Sequence, residues 1–241
     1  MGAAGVELDA AGDLSPKNLS QTGRRELLHL LRGYQLELSA VGCPLRHGLD
    51  AAENQEARID HVRQVMALSF DLGPRIVIVH AGQVGDGSQE SGGSDPRLVR
   101  LTDSLTALGR HGDRIGATLA LETGLDSPAL LDSYLATFDV GSLAVSFSPA
   151  HLLINGHNPY EAARILGRRI VTAHAGDARV TTLGRAAQEV PLGHGDIDWL
   201  QMLGSLEEIG YTGWLACDRL NSADPLGDLS GGVQFLRRLV R

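Results

Sequence analysis

Acids and imidazoles recur in this chain at one kind of place, the last positions of short β-branched or Leu-rich runs. Glu7 and Asp9 stand in VELDA (6–10), His80 in RIVIVHA (75–81) and Glu122 in ATLALET (117–123). Ser148 ends LAVSFS (143–148), with His151 three residues on; His174 lies in IVTAHA (170–175), followed by Asp177 and Arg179; and Asp218 ends WLACD (214–218). Carboxylates and imidazoles from strands far apart in sequence, once gathered at one end of a sheet, can share a divalent cation or flank a substrate carbon as acid and base. Arg179, and His194 in a glycine-rich stretch, could hold a phosphate, carboxylate or hydroxyl of a ligand. Each residue also has a plainer reading: His80 as a core histidine bonded to a carbonyl, Asp177 as a loop cap, Arg179 and His194 as surface residues. The case for chemistry rests on the set.

Something must position that set. With LELSAVG (36–42) there are seven strand-like runs. The stretches between them carry apolar residues at helical spacing, such as Ile59, Val62, Val65, Met66 and Ser69, or Leu200, Leu203, Leu206 and Ile209. Ser15-Pro16, Asp95-Pro96, Ser127-Pro128 and Asn158-Pro159 each place a capping residue before a proline suited to the first helical position, which predicts four helix starts. Repeated βα units force parallel strands with right-handed crossovers and a sheet covered by helices. No strand is followed by a dinucleotide-binding glycine fingerprint, and the polar residues end many strands instead of lining one crevice, which favours a barrel over a doubly wound sheet. At 241 residues the chain approaches the roughly 250 that an α/β barrel takes, and no linker breaks it, so a single domain over 1–241 is expected. The Gly- and Ser-rich segment 82–96 reads as a βα loop and a lid candidate, or as a surface loop with no role.

Composition excludes several classes. A net charge of -8 offers no basic footprint for a nucleic-acid backbone. No apolar run approaches the roughly 20 residues of a membrane-spanning helix, so no membrane partner is expected. The first residues show no basic stretch followed by an apolar one, so the expected location is cytoplasmic. Cys43 and Cys217 lack metal-type spacing and are expected as buried free thiols.

Four longer segments resemble the sugar phosphate isomerase/epimerase family with the xylose-isomerase-like TIM barrel, related to the AP endonuclease family 2 branch. They are ALET with Glu122, residues 146–170, VTAHAGDAR (171–179), and residues 191–219, where Leu192, Gly193, Gly195, Asp198, Gly210, Tyr211, Gly213 and Trp214 stand at the family's characteristic places. The resemblance implies a divalent metal (Mn²⁺, Mg²⁺, Co²⁺ or Zn²⁺) bound by Glu, Asp, His and Glu from strands five to eight. At those places this chain has Glu122, Ser148, His174 and Asp218. A serine hydroxyl is a neutral, poor ligand for a hard cation, and His151 is a substitute that would bias the site towards zinc. The resemblance also implies that Glu122 and Asp218 act as an acid/base pair on a small polyhydroxylated substrate, with His80, Arg179 and His194 binding it. Asp218 is one methylene shorter than the family glutamate, a retreat of about 1.5 Å in a reaction that needs contact at about 3 Å.

The expected activity is that of a sugar or sugar-phosphate isomerase or epimerase moving a proton next to a carbonyl. The alternative is a degenerate barrel that binds a carbohydrate-like ligand without turning it over. Cleavage of abasic DNA by several zinc ions, suggested by His80, His151 and His174, ranks last on charge. The family barrel normally begins with a βα unit before its Gly-Val-Glu-Leu strand, whereas here Gly5-Val6-Glu7-Leu8 opens the chain. A (β/α)8-type TIM barrel lacking its first βα unit is therefore expected, with unpaired edges at VELDA and WLACD. A start site placed too late, or a homo-oligomer whose second chain fills the edge, would account for it.

Overall fold

A computed structural model describes residues 2–85, 95–180 and 187–240. All seven runs are strands: β1 (Gly5–Asp9), β2 (Glu37–Gly42), β3 (Ile76–Val79), β4 (Thr118–Glu122), β5 (Leu143–Phe147), β6 (Ile170–Ala175) and β9 (Leu215–Cys217). They form one sheet in the order β1-β2-β3-β4-β5-β6-β9. The pairs β1/β2, β2/β3, β3/β4, β5/β6 and β6/β9 run parallel. Among the described residues this is the α/β order of a TIM-type sheet, with seven strands. β3 and β5 are apolar and buried almost throughout, while β1 and β9, the end strands of the order, are half-exposed. A hairpin that the runs did not announce, β7 (Asp177–Val180) and β8 (Ala187–Val190), pairs antiparallel as a second, two-stranded sheet.

The helices are α1 (Gln21–Gly33), α2 (Gln55–Leu72), α3 (Pro96–Ile115), α4 (Pro128–Leu135), α5 (Pro149–Ile154), α6 (Pro159–Leu166), α7 (Trp199–Glu208) and α8 (Pro225–Leu239). Three of the four proline starts hold. The Asp95 carboxylate accepts from Arg97 N (2.8 Å), Ser127 Oγ from Leu130 N (3.3 Å), and Asn158 Oδ1 from Tyr160 N and Glu161 N (3.0 and 3.2 Å). Ser15-Pro16 starts no α-helix. There the Asn18 side chain takes the Gly12 carbonyl (2.8 Å) and closes a turn, and α1 begins later, capped by Ser20. The expected face of α7 is also corrected: it buries Trp199, Met202, Ser205 and Leu206, and leaves Leu200 65% exposed.

The chain divides into two compact units, with the division passing through α4 and β5. One comprises residues 4–122 and 133–144, the other 1–3, 123–132 and 145–241. The first has its core in Val62, Val65, Met66, Leu105, Leu108 and Leu119; the second in Phe147, Leu152, Leu166 and Met202. Both cysteines are free thiols, Cys43 buried just after β2 and Cys217 half-buried in β9. Among the described residues no helix is long and apolar enough to cross a membrane. Residues 86–94, on which the lid reading falls, lie outside the described residues.

Candidate active site

In the first unit the β3/β4 register pairs Val79 with Leu121, so the next residues along, His80 and Glu122, leave neighbouring strands side by side. Parallel strands make such neighbours without any turn between them. His80 Nε2 lies 2.8 Å from Glu122 Oε2, with the carboxylate side chain 9% exposed and the imidazole 60% exposed. A dry carboxylate thus touches a wet imidazole, and proton transfer between substrate and solvent needs both halves of that arrangement.

Asp9 stands opposite Gly42 in the β1/β2 register, and a Cβ on Gly42 would overlap the Asp9 carboxylate. Position 42 therefore leaves room for that acid. Desolvation first, then the charges of Glu7 and Glu122, raise the Asp9 carboxyl above the usual range. Burial, and then Asp9, push the Cys43 thiol up to about 12. A further buried acid, Asp50, went unnoticed in the sequence. Its carboxylate binds Arg97 at 2.5 and 3.1 Å and fills the space that side chains on Gly48 and Gly82 would take. It thereby ties the segment after β2 to the start of α3.

In the second unit Ser148 is buried. Its N–H donates to Thr123 Oγ1 (2.8 Å), and its hydroxyl caps α5 by accepting from His151 N (3.4 Å). His151 therefore sits in the first turn of α5, its backbone and Cβ against Gly124. His174, 6% exposed, lies in β6 with Ala216 of β9 beside it, and Asp218 N donates to Ala175 O at the end of that pairing (3.3 Å).

Asp177 opens β7 fully buried. Its Oδ1 accepts from Ala178 N (2.9 Å) and Ile197 N (3.4 Å), its Oδ2 from Gly193 N and Gly195 N (3.0 Å each). Burial pushes its carboxyl up while these four N–H groups pull the other way. A side chain on Gly195 would overlap the carboxylate, which explains that glycine. Arg179 donates to the His194 carbonyl, and Asp196 Oδ2 accepts from Val180 N (2.8 Å). Asp177 is thus the loop cap that was the plainer reading, and Arg179 and His194 meet through a guanidinium and a backbone oxygen.

Sequence reasoning missed Glu189, Arg219 and Asp228. Glu189, in β8, accepts from Leu220 N (2.9 Å) and Asn221 N (3.0 Å) and pairs with Arg219 Nη1 at 2.9 Å. Arg219 Nε and the Ser222 hydroxyl both donate to Asp228 Oδ2, at 3.2 and 2.6 Å, and hold the Asp228 carboxyl below the usual range, the hydroxyl most strongly. The amides that Glu189 binds lie 31 and 32 residues on, beyond any local pattern.

At the family's ligand positions the chain carries Glu122, Ser148, His174 and Asp218, with His151 three residues after the serine. Among the described residues no group of three or more His, Cys, Asp or Glu side chains stands together as a cation site. The Ser148 hydroxyl is occupied as a helix cap, and the Glu122 carboxylate by an imidazole. A hard divalent ion prefers several anionic oxygens, and with serine at one ligand position the carboxylates left in the set are those of Glu122 and Asp218.

The chain is 26% identical over 223 residues to an uncharacterized protein of Methanocaldococcus jannaschii, covering 88% of this chain and 72% of that one. Over 133 residues it is 26% identical to an inosose dehydratase of Clostridium beijerinckii, covering 48% of this chain and 44% of the enzyme. The crystal structure of a xylose isomerase domain protein from Planctomyces limnophilus superposes with a TM-score of 0.87 at 23% identity, covering 99% of this chain and 89% of that one, and shares the fold. The description of one protein family, the xylose isomerase-like TIM barrel, matches residues 1–239. The chain belongs to the xylose isomerase-like TIM barrel family.

Proposed function

We propose that this protein is a cytoplasmic sugar-processing enzyme, working as one domain over 1–241, that moves a proton next to the carbonyl of a small polyhydroxylated ketone or aldehyde. Isomerisation and epimerisation need that step, and so does the elimination of water from a keto-inositol, the reaction type named by the dehydratase relative. The observation that carries the reading is the 2.8 Å contact of His80 with the nearly buried Glu122 carboxylate. The nearly buried carboxylate meets the substrate away from water, and the exposed imidazole gives the captured proton a route to water. Glu122 takes the proton and His80 relays it. Asp218 serves as the second carboxylate. Arg179 and His194, joined through the His194 carbonyl, bind the ligand from the glycine loop.

Proton wash-out tests this directly. Incubated in D₂O with inososes and ketohexoses, the protein is expected to erase the NMR signal of the C–H beside the carbonyl, and E122Q to leave it intact. Saturable binding of the same sugars with no wash-out would replace this reading with the non-catalytic one, which the use of Ser148 as a helix cap favours. Calorimetric titration with Mn²⁺ and Zn²⁺ is a separate test. With serine at one ligand position the donor set predicts weakened binding, and S148D, by returning an acidic oxygen, is expected to tighten it; binding to the unaltered chain as tight as to S148D would overturn the account of the ligands.

A further inference from the structure

β9 ends at Cys217, and no helix or strand begins again until Pro225. Asp218 is the first residue of that irregular segment, and its N–H reaches Ala175 O at 3.3 Å. A carboxylate one methylene short of the family glutamate can serve only if its backbone is held, because proton transfer fails when the donor and acceptor separate by an ångström.

The hold comes from the β7/β8 hairpin. Glu189 presents both oxygens to the segment, Oε1 to Leu220 N (2.9 Å) and Oε2 to Asn221 N (3.0 Å), and pairs with Arg219 (2.9 Å). The Glu189 and Arg219 side chains are only 10% and 13% exposed, so these charged contacts are little screened by water. Arg219 is in turn tied at 3.2 Å to Asp228 in α8. Three consecutive residues after Asp218 thus touch one carboxylate. Loops seldom gather two backbone amides and a guanidinium on a single acid unless their path matters.

We infer that Glu189 is a positioning residue, which fixes the segment 219–221 and through it the carboxylate of Asp218. This rests on the role proposed above for Asp218. Glu189 touches no substrate; it acts through the backbone.

The test uses the full chain with E189A, E189Q and D218N, reading amide hydrogen exchange by NMR and the kcat and KM of sugar wash-out. E189A is expected to speed exchange at Leu220 and Asn221 at least tenfold while β5 and β6 stay protected, and to lower kcat about tenfold at unchanged KM. E189Q keeps one oxygen for an amide and is expected to fall between E189A and the unaltered protein, which also covers the case in which E189A fails to fold. Unchanged exchange at Leu220 and Asn221 in both variants overturns the inference, and so does faster exchange with unchanged kcat when D218N is inactive. D218N with normal kcat instead removes the role of Asp218 itself, a failure that the exchange data leave distinguishable from loss of Glu189's grip.

Discussion

Glu122 and Asp177 are both acids at or just past the end of a parallel strand, yet the two regions use them differently. Asp177 gives its two oxygens to four backbone N–H groups that come from its own neighbour and from the glycine loop 193–197. Those donors cannot rotate away or titrate, so the carboxylate is a fixed post around which a loop is wound. Glu122 meets instead an imidazole, the side chain whose charge changes near neutral pH, and that imidazole faces water. Being acidic and buried at a strand end therefore does not identify a chemical group. The partner does: fixed amides mark architecture, and a titratable, wet partner marks chemistry.

The contrast breaks if the two residues respond alike to substitution. D177A leaves four N–H donors without an acceptor, those of Ala178 and Ile197 in a buried place, and since each buried one costs about 1–3 kcal/mol, a loss of at least about 2 kcal/mol of stability is expected in urea or thermal denaturation. E122Q keeps an oxygen for His80 and should stay within about 1 kcal/mol of the unaltered protein. Proton wash-out reverses the ranking, with E122Q inactive and any D177A that remains folded still turning over at saturating sugar, at a raised KM because Asp177 anchors the glycine loop. An E122Q chain destabilised as strongly as D177A would make Glu122 a second post and remove the distinction.

How much of this was legible in the sequence depends on the range of the interactions. Buried parallel strands must be apolar along their whole length, so IVIV and LAVSF declare β3 and β5 without help from neighbours. Local caps were equally plain, because Asp95, Ser127 and Asn158 satisfy amides two or three residues away. The hairpin was not. DARV and AQEV are short, polar and partly exposed, and β7 and β8 are held by each other and by Asp177 and Glu189, whose partners lie up to 32 residues away. The α7 face failed for another reason. Leu200 and Leu203 repeat at the same interval as Trp199 and Met202, so periodicity fits both stripes, and only the packed core selects the one with the larger indole. For the candidate site, residue types at strand ends pointed to Glu122 and His80 but could not show that they touch. Ser148, noted as a poor ligand, turned out to have a different task, which its sequence neighbour Pro149 hinted at.

A finer version of the comparison uses the cysteines, since each region keeps one thiol beside one aspartate. Burial and then Asp9 raise Cys43 to about 12, while burial and then Asp218 raise Cys217 to about 11. Only the thiolate reacts with an alkylating reagent, and each unit of pKa above the solution pH removes about nine-tenths of what thiolate remained. At pH 8 both cysteines should therefore react far more slowly with iodoacetamide than a free thiol, and Cys217 about tenfold faster than Cys43, a gap widened by the deeper burial of Cys43. Peptide mass spectrometry over a time course reads both rates at once. Removing one charge tests the pairing: D9N is expected to quicken Cys43 alone and D218N to quicken Cys217 alone. If either variant quickened both thiols, the charge would act through general loosening, and the two strand-end regions would have to be treated as one electrostatic unit.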